Sequence, residues 1–424
     1  MLQIESKNII FLSELKLKVI LQKFKFLKIP SFTNINLTKL FKEFYESEKT
    51  AGLLLIVCTA VSLILANSPF SSGYLNFWQQ NIGFVTDAVN LNYPVYYWIN
   101  DGLMAVFFLL IGLEIERELY IGELSDFKVA LFPIVAAIGG IAVPALIHFS
   151  LNAGTETQSG IAIPMATDIA FALGILSLLG DRVPVRIKVF LTALAIADDL
   201  GAIIIIAVFY SKGFSVFNFS MAAVVFLILL FMNRKKVNKL YLYLIPGVFL
   251  WYFMLKSGVH ATISGVILAF VIPFGKGDKS SISYSIQHSL HRPVAYLILP
   301  LFALANTGIV IGGDWYKDLF TLNSLGIVAG LLIGKPLGIF LFSFIAFKTG
   351  LIKTEEKINW KNIFGAGVLA GIGFTMSIFI TLLAFERDSL IISSKIAILI
   401  TSLIAGTLGF ILLSIFNPKK ESGN

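Results

Sequence analysis

Long apolar runs separated by short polar segments occupy the chain from about residue 50 to residue 416. Runs of roughly 18 residues or more recur among them, and this is the length that an α-helix needs to cross the hydrocarbon core of a bilayer. The shorter alternating segments that are typical of an outer-membrane barrel are missing. The pattern therefore predicts an all-α integral membrane protein. Its twelve transmembrane helices are predicted at residues 50–67, 96–115, 129–150, 161–180, 187–210, 217–232, 240–255, 257–273, 294–312, 324–347, 363–384 and 391–416.

Composition agrees with a chain that is surrounded by lipid. Hydrophobic residues make up 57% and charged residues 14%, whereas about 25% of a soluble domain is charged. The mean hydropathy is +0.85. A formal net charge of +8 would favour a nucleic-acid partner in a soluble protein, but in a membrane protein the distribution of charge matters more than its sum. We therefore expect no nucleic-acid partner.

The distribution of lysine and arginine predicts the orientation of the chain. These residues concentrate in the N-terminal segment and in every second loop between the predicted helices. The other loops hold only Lys212, Lys256, Lys317, Arg387 and Lys395. Because cytoplasmic loops carry an excess of cations, both termini are predicted to be cytoplasmic.

The same pattern divides the chain into a basic cytoplasmic N-terminal extension (1–49), a twelve-helix domain (50–418) and a cytoplasmic tail (419–424). The extension is either a solvated tail or a helix lying on the anionic inner leaflet. The outer loop 71–94 contains no lysine or arginine and predicts a short hairpin.

Four ionisable residues lie at bilayer depth, where each costs on the order of 3 kcal/mol on insertion scales. Asp198 and Asp199 are adjacent near the middle of the fifth predicted helix. Asp168 lies within the fourth helix and Lys335 within the tenth. A purely structural Asp–Lys pair would need only one carboxylate, and here there are three. The set therefore predicts a functional site.

Neighbouring residues on an α-helix point about 100° apart, so Asp198 and Asp199 face different partners. One of them can meet Lys335 while the other faces a cavity shared with Asp168. Two carboxylates facing a wet cavity suit a small hard cation, and their protonation is coupled. A proton and a cation would then compete for the same oxygens, which is sufficient for antiport if the site opens alternately to each side.

Two of the predicted helices are interrupted. Pro164 precedes Asp168, and proline removes a backbone donor and breaks a helix. The eleventh helix contains Gly371 and Gly373. The segments 167–171 and 376–379 are faintly alike. Interrupted helices in corresponding positions of two halves indicate the midplane site of a transporter.

The residues at these positions resemble those of the bacterial NhaA sodium/proton antiporters over residues 50–416. The motif Ala-Asp-Asp-Leu-Gly-Ala at 197–202 is the most specific, with Ala-Thr-Asp at 166–168 and Gly-Lys-Pro at 334–336. Further similar stretches are 98–118, 256–262 and 371–378.

The resemblance implies inverted-topology repeats and two interrupted helices that cross. It implies that Asp199 is the main ion-binding carboxylate and that Asp198, beside it, pairs with Lys335. Together, Asp199 and Asp198 would hold the transported Na⁺. Asp168 and Thr167 would lie at the crossing, where Asp168 offsets the helix N-terminal dipoles and Lys335 the C-terminal ones.

The family also implies the physiological context. We expect electrogenic exchange of Na⁺ or Li⁺ for more than one H⁺, switched on at alkaline pH, in the bacterial inner membrane. The role would be sodium and pH homeostasis. A homodimer joined partly by the hairpin of loop 71–94 is expected, with no cofactor and no enzymatic activity.

The family's pH response is attributed to a cluster that corresponds here to Glu114, Arg117, Glu118, His260, His288 and His291. Histidine suits this task because its unperturbed pKa is about 6.5. Alternatively, the helical spacing of Glu114, Arg117 and Glu118 is that of a solvated network at a helix end. Gln287 stands where members carry a glutamate, and Glu116 where a cation is usual, so we expect a shifted activation pH.

Three other functions are compatible with individual features. A potassium exchanger or a sodium symporter of organic anions would need a large polar cavity, whereas alanine, glycine, isoleucine and leucine surround these carboxylates. An intramembrane aspartyl protease needs two carboxylates that share a proton; adjacent Asp198 and Asp199 cannot do so, although Asp168 could approach one of them. A channel would not need buried, proton-competent charges.

Overall fold

The computed structural model describes residues 39–87, 90–210, 213–352 and 358–418, with side chains from residue 50 onward. One compact unit, which begins at residue 45, contains all the candidate residues named above. Of the predicted N-terminal extension and tail, residues 1–38 and 419–424 lie outside the described residues. The basic character of these two segments therefore stays a sequence observation.

Helices dominate the described chain. They are α1 (Lys39–Ala66), α2 (Ser71–Gln79), α3 (Val95–Tyr120), α4 (Phe127–Asn152), α5 (Ile169–Leu178), α6 (Val185–Phe209), α7 (Val216–Arg234), α8 (Tyr241–Ser257), α9 (Ile263–Val271), α10 (Ile282–Pro293, Val294–Ile298 and Leu299–Asn306), α11 (Leu322–Lys348), α12 (Trp360–Ala370), α13 (Phe374–Ala384) and α14 (Asp388–Phe416). A 3₁₀ helix, Gln158–Met165, precedes α5, and shorter 3₁₀ turns are Gly180–Arg182 and Lys317–Phe320. Single π-helical turns lie within α3, α10 and α11, at Trp98–Leu103, Val294–Ile298 and Gly330–Gly334.

Many of these helices are long and apolar enough to cross a membrane. Seven pass that test in the described residues, or nine if each of two bent pairs is one span. The pairs are Thr50–Ala66 with α2, bent by 113°, and α12 with α13, bent by 47°. Outward-facing apolar side chains such as Phe217 and Phe231 of α7 are more than half exposed, which suits contact with lipid. The chain is a multi-pass membrane protein, and the number twelve stays a prediction.

Three predicted spans differ in extent from the helices found. The span predicted at 257–273 corresponds to α9, which starts only at Ile263, because Gly258 ends α8 with a left-handed φ of 84°. The span predicted at 294–312 corresponds to the second part of α10, which begins at Ile282 and ends at Asn306. The span predicted at 50–67 is the second part of α1, which begins at Lys39.

The predicted hairpin is present in part of the loop 71–94. Strand β1 (Asn81–Ile82) pairs antiparallel with β2 (Tyr93–Pro94), and Asn81 faces Pro94. The first nine residues of the loop are helical instead and form α2. The side chain of Lys256, at the end of α8, donates hydrogen bonds to the carbonyl of Asn90 and the hydroxyl of Tyr93, at 3.0 and 2.8 Å. These bonds fix the hairpin against the helical body.

Close glycine contacts bring α11, which carries Lys335, against α4. A Cβ atom on Gly338 would lie 2.1 Å from the carbonyl oxygen of Gly139. Only glycine permits backbones to approach so closely. Any larger residue at this crossing would push α11 outward and move Lys335 with it.

Candidate ion-binding site

The first interrupted span consists of the 3₁₀ helix Gln158–Met165 and α5. Residues 166–168 separate the two pieces in extended backbone, since Ala166 has a ψ of 148° and Asp168 a ψ of 97°. Pro164 lies inside the 3₁₀ piece and cannot donate a backbone hydrogen bond. Asp168 then starts α5, because its Oδ1 accepts a hydrogen bond of 2.9 Å from the amide of Phe171.

The second interrupted span consists of α12 and α13. Residues 371–373 separate them, and a Cβ on Gly371 would lie 2.5 Å from the carbonyl oxygen of Leu331. The residue before α13, Gly373, supplies no side-chain cap. Ser402 of α14 partly fills that role, because its hydroxyl accepts a hydrogen bond of 3.1 Å from the amide of Phe374.

The two interruptions cross in direct contact. The amide of Asp168 donates a hydrogen bond of 2.7 Å to the carbonyl of Ile372. Asp168 Oδ2 accepts hydrogen bonds from the amide of Thr375, at 3.1 Å, and from its hydroxyl. One carboxylate therefore serves the N-terminal amides of both α5 and α13, where helix dipoles favour a negative charge.

The C-terminal ends of the 3₁₀ helix and of α12 bond to different partners. Lys335 Nζ donates hydrogen bonds to the carbonyl of Met165, which ends the 3₁₀ helix, and to Asp198 Oδ2. The hydroxyl of Thr167 lies 2.9 Å from the carbonyl of Ala370, which ends α12, and 2.7 Å from Asp198 Oδ2. Lys335 is fully buried and forms an ion pair with Asp198.

Asp199 stands apart in this network. Both of its carboxylate oxygens, and Oδ1 of Asp198, are buried without a hydrogen-bond partner among the described residues. The carboxylates are 1% exposed. Lys335, Asp168 and Glu114 lie within electrostatic range of Asp199. Three unsatisfied carboxylate oxygens at one place can accept a proton or coordinate a small cation, since hard cations take oxygen ligands.

The amino-acid sequence of this chain also matches a known family. Residues 42–413 match the model of the family described as Na⁺/H⁺ antiporter 1. The chain belongs to this family. It is 58% identical over 376 residues to the Na(+)/H(+) antiporter NhaA of Flavobacterium psychrophilum, an alignment that covers 89% of this chain and 96% of that protein.

Two further relatives carry the same name. The chain is 57% identical over 388 residues to the Na(+)/H(+) antiporter NhaA of Dechloromonas aromatica, covering 91% of this chain and 98% of that protein. The protein of that name from Yersinia enterocolitica is 49% identical over 389 residues, covering 91% and 99%. The family resemblance inferred from the motifs is confirmed.

The residues that the family resemblance assigns to pH response occupy two separate places. Glu114 is half-buried near the end of α3. It accepts a hydrogen bond from the side chain of Gln287 on α10 and lies within electrostatic range of Arg117 and Glu118. His288 on the same helix stacks on Tyr284, with ring centroids 6.1 Å apart. His291 lies one turn further along α10. Of this group, Glu114 is the residue that lies within electrostatic range of Asp199.

His260 lies far from that group, near the other end of α3. Its Nε2 is 2.8 Å from the carbonyl oxygen of Tyr210, just beyond the end of α6. The neighbouring Lys256 contacts the hairpin that precedes Val95, the first residue of α3. From Val95 to Glu114, α3 rises about 29 Å at 1.5 Å per residue. His260 therefore lies near the opposite end of α3 from Glu114.

Sequence reasoning missed three polar residues near these groups. Thr375 and Ser402 form hydrogen bonds at the start of α13, the second half of the second broken span. Threonine and serine are ordinary residues of membrane helices, so the sequence alone did not indicate this role. Glu123 follows α3 outside the spans; its amide donates a 2.9 Å hydrogen bond to Glu118 Oε2. Burial, and next the Glu118 carboxylate, raise the pKa of the Glu123 carboxyl.

Proposed function

We propose that this protein is a sodium/proton antiporter of the bacterial inner membrane, a transporter and not an enzyme. One observation carries the proposal: the unsatisfied carboxylate oxygens of Asp199 and Asp198 are buried beside two interrupted helices. The printed names of the relatives, Na(+)/H(+) antiporter NhaA, support the same substrates. Neither proton nor sodium ion has to displace another hydrogen bond to reach Asp199.

In the proposed mechanism, sodium competes with one proton for the oxygens of Asp199 and with the ammonium of Lys335 for those of Asp198. With protons bound, Asp199 is neutral and Lys335 pairs with ionised Asp198, so the three groups carry no net charge. Sodium that bridges Asp199 and Asp198 competes with Lys335 for Asp198. When the protons of Asp199 and Lys335 both leave, the sodium-loaded groups carry one negative charge. The two loaded forms differ in charge, which makes the exchange electrogenic.

The crossing of the broken spans supports alternating access. Thr167 and Asp168 connect the carboxylates of α6 to both interruptions. Half-helices held by a few side-chain hydrogen bonds can shift with less loss of backbone bonding than a continuous helix. We infer that the occupied site is exposed in turn to each side by a rearrangement around this crossing.

Further features of the proposal follow the family resemblance. We propose transport of Li⁺ as well as Na⁺, regulation by pH through Glu114, Arg117, Glu118, His260, His288 and His291, and a role in sodium and pH homeostasis. The architecture would comprise twelve spans in inverted-topology repeats with both termini cytoplasmic. The antiparallel hairpin formed by β1 and β2 would join two copies in a homodimer surrounded by lipid.

Proton flux in proteoliposomes tests the proposal. Sodium or lithium added outside vesicles that contain the wild-type protein should move protons, and Asp199→Asn should abolish that movement. Asp278→Asn is the matched control, because Asp278 is an exposed carboxylate in the loop after α9. Movement with potassium alone would support the potassium exchanger instead. No proton movement with any of the three cations from about pH 6.5, the ordinary pKa of histidine, up to about pH 9 would contradict antiport.

A further inference from the structure

A buried polar cluster away from the carboxylates joins three helices. His148, near the end of α4, is fully buried. Its Nε2 lies 3.3 Å from Oδ1 of Asn323 on α11. Asn323 Nδ2 donates a hydrogen bond of 2.7 Å to the hydroxyl of Ser394 on α14, and that hydroxyl donates one of 2.7 Å to the carbonyl of Leu390. We call the three side chains His148, Asn323 and Ser394 the outer latch.

The direction of donation fixes the protonation state of the latch. Ser394 has one hydroxyl proton and gives it to Leu390, so it must accept from the amide nitrogen of Asn323. Asn323 then presents its oxygen to His148, and Nε2 of the imidazole must carry the proton. Nδ1 is buried and has no hydrogen-bond partner among the described residues. A second proton would place a charged N–H on Nδ1 with no acceptor, which is costly in a buried site.

The latch lies against the outer half of the first interrupted span, where Asn152 and Thr157 form further hydrogen bonds. The side chain of Asn152 donates hydrogen bonds to the carbonyls of His148 and Leu322, at 3.0 and 3.1 Å. Thr157 donates one of 2.6 Å to Asn152 Oδ1, just before the 3₁₀ helix begins. A Cβ on Gly160, within that helix, would lie 3.2 Å from Asn323 Oδ1. A displacement of Asn323 toward Gly160 would therefore also displace the 3₁₀ helix.

The charged groups of the surrounding elements do not bond to the imidazole. Glu156, in the segment before the 3₁₀ helix, forms an exposed ion pair of 2.8 Å with Arg387. Lys395 and Asp388 on α14 interact with each other. Asn323 is the side chain that is bonded to the ring. No carboxylate in this part of the described structure therefore offsets a charge on His148.

We propose that the outer latch is a pH-sensitive switch that is closed only while His148 is neutral. An imidazole released to water takes up a proton below roughly pH 6.5, so acid favours the open latch and loosens residues 153–165. In the proposed topology this end of α4 faces the outside. Acid outside the cell then opens the latch and slows the exchange. The link to transport rests on the proposed function, but the opening itself does not.

Amide hydrogen exchange of the purified protein, without sodium, tests the opening separately. In the wild type, amides of residues 153–165 should exchange about five-fold faster at low pH than at high pH, after correction for intrinsic rates, as expected for one lost buried hydrogen bond. His148→Gln keeps a donor for Asn323 but does not titrate, so its protection should be the same at both pH values. His148→Leu has no donor and should exchange fast at both.

The outcomes separate the switch from the antiport. A wild type without pH-dependent protection, or a Gln variant with the same dependence as the wild type, overturns the switch. So does full protection in the Leu variant. In proteoliposomes with acidified outer buffer, the Gln variant should retain more sodium-driven proton flux than the wild type. If neither moves protons at any pH, the proposed function fails while the exchange result still decides the switch.

Discussion

The two interrupted spans cross at one point but are held in different ways. The first carries its own cap, since Asp168 bonds the amide of Phe171 in α5. The second has glycine at the matching position, Gly373, and receives its bonds from Asp168 and from Ser402. The first break can therefore keep its geometry alone, whereas the second depends on residues from elsewhere in the chain.

The C-terminal ends of the 3₁₀ helix Gln158–Met165 and of α12, which lead into the two breaks, are also held by different kinds of group. The carbonyl of Met165, in the first span, accepts a bond from the ammonium of Lys335, and the carbonyl of Ala370, in the second, lies beside the neutral hydroxyl of Thr167. Charged groups thus hold the first span, and one of them, Lys335, also forms an ion pair with Asp198 of α6. The comparison teaches that Lys335 connects the first span to Asp198 of α6, and that Thr167 and Asp168 connect the first span to the second.

The largest effect is expected when Lys335 is replaced. Lys335→Met leaves Asp198 buried without its ion-pair partner, which costs about 3–5 kcal/mol when one member of a buried pair is removed. Unfolding of the purified protein should shift accordingly. The double variant Lys335→Met/Asp198→Asn should recover most of the loss, because no unpaired charge remains. Equal stability of the single variant and the wild type would show that the pair does not hold the first span.

A smaller but broader effect is expected at Asp168. Asp168→Asn removes the charge that three donors share and should cost about 2 kcal/mol, since hydrogen bonds to charged groups contribute about 1.5–3 kcal/mol each and the amide oxygen still accepts. Amide hydrogen exchange should rise together at Phe171 and Thr375. Asp181→Asn, outside the spans in a short 3₁₀ turn, is the matched control. A rise at only one of the two amides would show that the breaks are held separately.

Sequence reasoning could predict the positions of the breaks but not what holds them. Pro164, Gly371 and Gly373 are local signals, and the four buried ionisable residues are conspicuous in apolar helices. Helix geometry alone could not show which of Asp198 and Asp199 pairs with Lys335, because neighbouring residues point about 100° apart and either one could face it. The structure assigns Lys335 to Asp198.

The sequence likewise predicts the position of some spans well and misses parts of others. Hydropathy places α4, α6 and α11 close to where they are found. The start of α10 was missed because the segment Gln287–Arg292 is polar, and hydropathy favours a helix only after it. Thr375 and Ser402 could not be predicted, since their role depends on which helices meet in space rather than on any local pattern.

The smallest expected effect separates the two spans most sharply. Thr375→Val keeps the shape of the side chain and the backbone amide that bonds Asp168, but removes the hydroxyl donor. Its cost should be about 1.5 kcal/mol, the lower end for a hydrogen bond to a charged group. Because Phe171 keeps its own bond to Asp168, exchange should rise at the start of α13 and not at the start of α5. Thr375→Ser retains the hydroxyl and should behave as the wild type. A rise at both helices in Thr375→Val would mean that the second span also supports the first, and the dependence between them would be mutual.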